Sequence, residues 1–313
     1  QTDGVYTYSD LMGLSGLALR LRYSNADTKT GWCPSCAVGE FPDEYALLTK
    51  QTGWTLPSDW LEAEGRDNDA LAARIVAEID AGRLLVAYPG HFNMALVFGY
   101  EDGGKTLIVN DYMDKTPAVL DSMSASKRVK VPIEKFGPLV TFLGEQNTPP
   151  PPPKALKRAL RTALENWSLE KDDGGVGGRE YWYGEAAWKA WIGDLRDYES
   201  IPAEAKDALR GLDWWVYTQL FDARKAAVQF LKDWSNVADG DARDALLKAG
   251  GHYQDEVDTL DTLVPDKRAA VSSDGAPEWT EDDREREIEI LTEAYELEQK
   301  AMAELGRALA AME

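Results

Sequence analysis

Residues Leu84–Met113 read LLVAYPGHFNMALVFGYEDGGKTLIVNDYM. Three apolar runs, Leu84–Tyr88, Phe92–Tyr100 and Lys105–Asn110, carry the β-branched and aromatic residues that suit a pleated, half-buried surface. Pro89-Gly90 and Asp102-Gly103-Gly104 separate them, and both are turn chemistry. The stretch therefore predicts an antiparallel meander. It also holds His91, one of two histidines in the chain, at the mouth of one strand. Asp111 closes the next strand, with Asn110 beside it. An imidazole near a carboxylate or amide acceptor has its tautomer and orientation set by that neighbour, which is what a general base requires.

Whether the two meet depends on the turn. A three-residue loop, Asp102–Gly104, sets His91 opposite Lys115 and puts Asp111 on the same face of the sheet. A two-residue loop, Gly103-Gly104, points the two side chains apart, because a slip of one residue moves every side chain to the other face. A bulge also restores the register. In the other register Asn110 is the orienter.

Outward from the hairpin, strands are predicted at Ser126–Pro132 and Leu139–Leu143. Tyr8–Tyr23 reads as a short helix, capped by Ser9 or Asp10, that runs on into a strand. Glu40–Thr52 and Asp67–Ala81 have helical spacing, the second through Leu71, Ile75 and Ile79 with Gly82 as its stop. Helices leading into a meander predict an α+β domain. Five prolines, Pro149–Pro153, then favour an extended segment and serve as a linker. Beyond them Ala155–Trp167, Tyr181–Tyr198, Ala203–Trp234, Asp241–Leu263 and Glu281–Met312 read as helices. The last has Ile288, Leu291, Tyr295, Met302, Leu305 and Leu309 on one stripe, as a bundle helix does. The expected division is an α+β domain over 1–147, a proline linker over 148–153 and an all-α helical bundle over 154–313.

The chain has 313 residues, a net charge of −21 and a pI near 4.5. Such a field repels phosphate backbones, so nucleic acid is not an expected partner. No apolar run reaches the length of roughly 18 residues that a membrane span requires, so no membrane partner is expected either. No secretory signal opens the chain, and a start at Gln1 rather than Met is compatible with a missing natural N-terminus. No cofactor is expected. Oligomeric state is not legible.

The two cysteines, Cys33 and Cys36, stand in GWCPSCAVGE. Several readings remain open: a local disulfide or a pair of packed thiols, a redox pair, one half of a metal site with His91, or Cys33 as a nucleophile facing His91. The redox motif needs a buried strand immediately before it, and SNADTKTG is a polar loop. The tryptophans Trp182, Trp188, Trp191, Trp214, Trp215 and Trp234, with Tyr217, crowd the first half of the helical region. Most of them read as core. Trp182 and Trp188, with Tyr181 beside them and the GGVGG loop at Gly174–Gly178 as a lid, are candidates for a ligand wall. Ser15 is a further candidate ligand contact. His252, after Gly250-Gly251, reads as a residue at a helix break.

YSDLMGLSGLALRLRY, WCPSCAVGE, and the strand with His91 and the GYEDGG turn before VNDY together resemble the butirosin biosynthesis protein H-like family of bacterial proteins. The likeness covers residues 5–145 and, on YWYGEAAWKAW and the helical pattern, extends over 155–310. It implies a papain-like domain, akin to double-glycine peptidases, followed by a helical domain. It also implies a cysteine-dependent acyltransferase or amidohydrolase acting on a small-molecule or peptide amide, with a carrier protein as a possible acyl donor. Localisation is not legible from the residues, a bacterial cytoplasm being slightly favoured. His91 matches the family histidine and Asp111 its acidic partner. The family's nucleophile falls upstream of Gln1 in one alignment and at Met12 in another, and neither position holds a thiol here. The resemblance thus implies a truncated chain, a non-catalytic relative that keeps a ligand cleft between its domains, or Cys33 in the nucleophile's role.

Overall fold

The computed structural model describes residues 6–25, 42–60, 65–89, 94–111, 127–137, 139–175, 179–263 and 279–313. They form eight α-helices and two antiparallel sheets, an α+β architecture. The chain divides into two compact units, Gly53–Thr148 and Gln1–Thr52 with Pro149–Glu313.

The first unit is built on a six-stranded sheet. Its strands are β2 (Ser58–Trp60), β3 (Leu85–Ala87), β4 (Ala95–Glu101), β5 (Thr106–Asp111), β6 (Lys127–Pro132) and β7 (Leu139–Phe142), ordered β2-β7-β3-β4-β5-β6. Strands β3 to β6 are the expected meander, and β7 returns to pair with the free side of β3. Burial alternates along the strands. Leu85, Ala87, Ala95, Val97, Leu107 and Val109 are buried, while Val86, Leu96 and Ile108 are partly exposed. The buried face packs on Leu71, Ala72 and Ile75 of α3 (Asn68–Asp80). Leu71 and Ile75 side chains of this kind contribute roughly 1.5–3 kcal/mol each when fully buried.

Both ends of α3 are specified locally. The Asp67 carboxylate accepts from the amides of Asp69 and Ala70 at the start, satisfying two otherwise orphaned donors. At the other end Gly82 is left-handed (φ 75°), its N–H donates to Ile79 O and the Arg83 N–H donates to Glu78 O. That is the Schellman pattern.

The second unit is mostly helical. It contains α1 (Tyr8–Leu14), α2 (Pro42–Thr52), α4 (Pro152–Ser168), α5 (Gly184–Arg196), α6 (Ala203–Trp234), α7 (Gly240–Asp261) and α8 (Glu281–Met312). A small sheet joins them: β1 (Arg22–Tyr23), β8 (Lys171–Gly175) and β9 (Arg179–Tyr183), with β9 in the middle. Helix α1 begins with a capping box between Thr7 and Asp10, so Thr7 is the cap in place of the expected Ser9 or Asp10.

Three expectations about organisation are corrected here. The segment before Gly53 does not join the α+β sheet. Leu14, Ala18 and Leu19 are buried in one core with Leu156, Leu160, Phe230, Leu246 and Leu305, and β1 pairs with β9, Arg22 opposite Tyr183, 161 residues away. A backbone hydrogen bond across such a distance leaves no local trace. The proline run does mark a boundary, but α4 takes Pro152 and Pro153 into its first turn. Their missing N–H groups cost nothing there, because the first amides of a helix have no partner within it. Helix α7 runs through Gly250, Gly251 and His252 without a break.

Candidate functional site

The hairpin at the expected catalytic pair follows neither of the two turns considered above. Four residues, Asp102 to Lys105, separate the pair Glu101 and Thr106. Tyr100 faces Leu107 and Gly99 faces Ile108, then the register shifts between Val97 and Gly99, so that Val97 faces Val109 and Leu96 faces Asn110. One extra residue, Phe98, is taken up as a bulge. Beyond it the pairs are those that a three-residue loop would have produced. The turn itself needs glycine. Asp102, Gly103 and Gly104 have φ of 51°, 64° and 92°, the left-handed region that Asp tolerates and Gly adopts freely. A Cβ on Gly104 would stand 2.9 Å from Val76 Cγ2 and 3.0 Å from Ala72 Cβ, so its absence lets the turn lie against α3. The Tyr100 hydroxyl, donating to Asp80 Oδ1 at 2.8 Å, fastens the same end.

Asn110 is partly buried and pairs with Leu96 on one side and Arg128 on the other. Asp111 ends β5 with its backbone opposite Lys127. His91, Cys33 and Cys36 lie outside the described residues, as does the second half of the GGVGG loop.

The expected ligand wall is corrected. Trp188 and Tyr181 are fully buried and Ser15 is 3 % exposed, so all three are core. Trp188 lies between Trp191 and Tyr295, with ring centroids 5.9 and 6.0 Å away. Tyr181 lies under the Arg22 guanidinium, 4.1 Å from its ring centroid. The Ser15 hydroxyl donates to Met12 O at the end of α1. Trp182 is partly exposed and stacks on Tyr23 at 6.2 Å, with Lys171 Nζ 4.9 Å from its own centroid.

A buried ionic cluster lies elsewhere among the described residues. Arg224 of α6 is fully buried. Its Nε donates to Glu298 Oε2 at 2.7 Å and to Glu256 Oε1 at 3.2 Å. Its Nη2 lies 2.5 Å from Glu298 Oε2. Its Nη1 donates to the carbonyl oxygens of Ala18 and Arg20 at 2.8 and 3.3 Å. The Tyr253 hydroxyl completes the cluster, donating to Glu298 Oε1 at 3.0 Å. Burial alone would push the guanidinium down, but Glu298 and Glu256 more than offset this and hold it above its ordinary value. Burial and the neighbouring Glu298 carboxylate push Glu256 well above the ordinary carboxyl range, despite Arg224. Two carboxylates around one cation favour keeping one proton. A signal for this cluster was present in the sequence. Glu298 occupies the gap in the α8 stripe between Tyr295 and Met302, where an apolar residue is due.

A concave feature lies among the described residues of the helical unit. An open depression of about 370 Å³ is lined by Trp167 of α4, Glu185 of α5, and Gln299, Met302 and Ala303 of α8. Glu185 Oε1 accepts from the Tyr295 hydroxyl at 2.5 Å, from Lys189 Nζ at 3.0 Å and from Gln299 Nε2 at 3.5 Å. Hydrogen bonds from Tyr295 and Lys189 hold its carboxyl below the ordinary value, so it is ionised near neutrality. Tyr295 ties the depression to the aromatic core, 6.4 Å from Trp167 and 6.0 Å from Trp188 between ring centroids. Gly184 brings α5 against α4, since a Cβ there would stand 2.5 Å from Trp167 Cα. Of the expected wall, Trp182 alone is partly exposed, while Trp188 and Tyr181 are buried. Burial of each aromatic depends on which helix covers it, and local pattern does not encode that.

No family model matches the chain, and no curated protein matches it. Among the described residues no helix is long and apolar enough to cross a membrane.

Proposed function

We propose that the chain is a papain-like scaffold of the butirosin biosynthesis protein H-like type, built for cysteine-dependent acyl transfer or amide hydrolysis on a small molecule or peptide. In this reading Cys33 is the thiol, His91 the general base and Asp111 the orienter, with Asn110 as its alternative. His91 takes the Cys33 proton, and the thiolate attacks the acyl carbonyl to give a tetrahedral oxyanion. Collapse forms an acyl-enzyme thioester as the leaving group departs with the proton from His91. An acceptor amine or water then attacks the thioester, its proton passes to His91, and the thiol is regenerated. A carrier protein bearing the acyl group is the donor this chemistry suits.

The observation that supports the reading is the bulge at Phe98. It returns the hairpin to the pairing that a three-residue turn would have produced. The reading requires that this register run on to His91, where parity sets it on the face of Asp111. A second reading, a ligand-binding module without chemistry, is favoured by the depression at Trp167 and Glu185.

Treatment of the full chain with an N-acetylcysteamine thioester, followed by mass spectrometry, separates them. A stable or turning-over acyl adduct on Cys33 is expected, absent in Cys33→Ala and formed at least about a hundredfold more slowly in His91→Ala. Slow, unselective modification of Cys33 and Cys36, unaffected by His91→Ala, overturns the catalytic reading and leaves the binding module.

A further inference from the structure

We propose that the depression between α4, α5 and α8 binds a methylated ammonium group, held between the Glu185 carboxylate and the Trp167 ring. The inference is independent of the hairpin chemistry, because every residue it uses lies in the helical unit. Three features of the depression converge on a cation with an apolar shell. Its lining residues include Trp167, Met302 and Ala303, which carry an indole ring, a thioether and a methyl group, with Met302 itself only 4 % exposed. An aromatic face attracts a cation through its quadrupole, and tryptophan does so most strongly. A methionine side chain adapts to the shape of a bound methyl group. The single anionic group on the wall, Glu185, is kept ionised by Tyr295 and Lys189, and its place in the first turn of α5 favours that charge further.

The hydrogen-bond pattern argues for a methylated cation over a primary ammonium. Glu185 Oε1 already accepts from Tyr295, Lys189 and Gln299. A primary ammonium is strongly hydrated, and in an open depression it would exchange water for little more than Lys189 already supplies. A quaternary trimethylammonium, the fully methylated case, is weakly hydrated and carries no donor to satisfy. It gains from the ring, the thioether and the charge together. The net charge of −21 concentrates cations around the molecule as a whole. Lys189, exposed and 3.0 Å from Glu185, is a built-in competitor.

The test is calorimetric titration of the full chain with choline, with its uncharged isostere 3,3-dimethylbutan-1-ol, and with ethanolamine. Choline is expected to bind, and the other two at least about fivefold more weakly. Glu185→Gln and Trp167→Leu should each weaken choline by about fivefold, the scale of one half-exposed ionic or cation–π contact. Lys189→Met should tighten it by about threefold by removing the competing cation, a change of sign that a merely structural role for these residues does not produce. Circular dichroism on each variant establishes that it is folded. The proposal is overturned if choline does not bind at millimolar concentration, or if the isostere or ethanolamine binds as well as choline. It is equally overturned if affinity is untouched by Glu185→Gln and Trp167→Leu, or is unchanged or lower in Lys189→Met.

Discussion

Arg224 Nη1 donates to the carbonyl oxygen of Ala18 at 2.8 Å, across 206 residues of sequence. With the second bond to Arg20 O, this guanidinium holds the segment leading into β1 against the middle of α6. The same group neutralises Glu298 and shares Glu256, so one buried side chain serves both an ionic cluster and the attachment of the N-terminal segment. Removing it leaves the Glu298 carboxylate, the Glu256 carboxyl group and two carbonyls buried without their partner. Arg224→Met is expected to cost about 3–5 kcal/mol, the usual result of breaking a buried ion pair from one side. Urea denaturation of the full chain measures this as a lower midpoint. Simultaneous Glu256→Gln and Glu298→Gln replacement should recover part of the loss.

Glu256 makes stability depend on pH in the direction opposite to an ordinary carboxylate. Its folded pKa is raised, by burial and by Glu298, so the folded state holds a proton that the unfolded state releases near the ordinary carboxyl value. Stability from this group is therefore complete below that value and is lost as pH rises through the raised one. The groups facing it are Arg224, Glu298 and Tyr253. Glu256→Gln mimics the protonated form. The difference in unfolding free energy between the variant and the natural chain should widen in the variant's favour as pH is raised from about 5 to about 8. A constant difference across that range would contradict the assignment.

Gly104→Ala should destabilise the α+β unit by about 1–3 kcal/mol or more, from a left-handed φ of 92° and a Cβ forced against Val76 and Ala72. Hydrogen exchange separates this from a general loss of stability. Amides of β4, β5 and α3 should exchange faster, while those of α7 and α8 keep their protection.

Gly13→Ala tests how closely α1 crosses α6. A Cβ there would lie 2.2 Å from the Phe230 ring, which cannot move without disturbing Trp234, 5.5 Å away between centroids. A loss of about 1–3 kcal/mol is expected from overpacking. Phe230→Leu alone also destabilises, through the space it leaves. The double variant should be less destabilised than the two losses together predict, a favourable coupling measurable by a double-mutant cycle.

Local pattern carried the elements of this protein a long way. The alternation in Leu84–Met113, the helical spacing with Gly82 as a stop, and the charged helix from Glu281 to Met312 each describe a segment that buries one face. Such a face imposes its period on the segment itself. The α+β class, the meander and the run of bundle helices all follow from those periods. The turn at Asp102 was legible as a turn, but its length and the bulge at Phe98 were not, because register depends on what packs against the strands and α3 is what leans on Gly104. The partnership of Tyr8–Tyr23 with the helices, the burial of Trp188 and Tyr181, and the meeting of Arg224, Glu256, Glu298 and Ala18 belong to the tertiary structure alone. They are contacts between segments far apart in the chain, where a charge is acceptable only because its partner arrives from elsewhere; Glu298 in the gap of its stripe marks a buried charge, but no local periodicity names the partner that meets it.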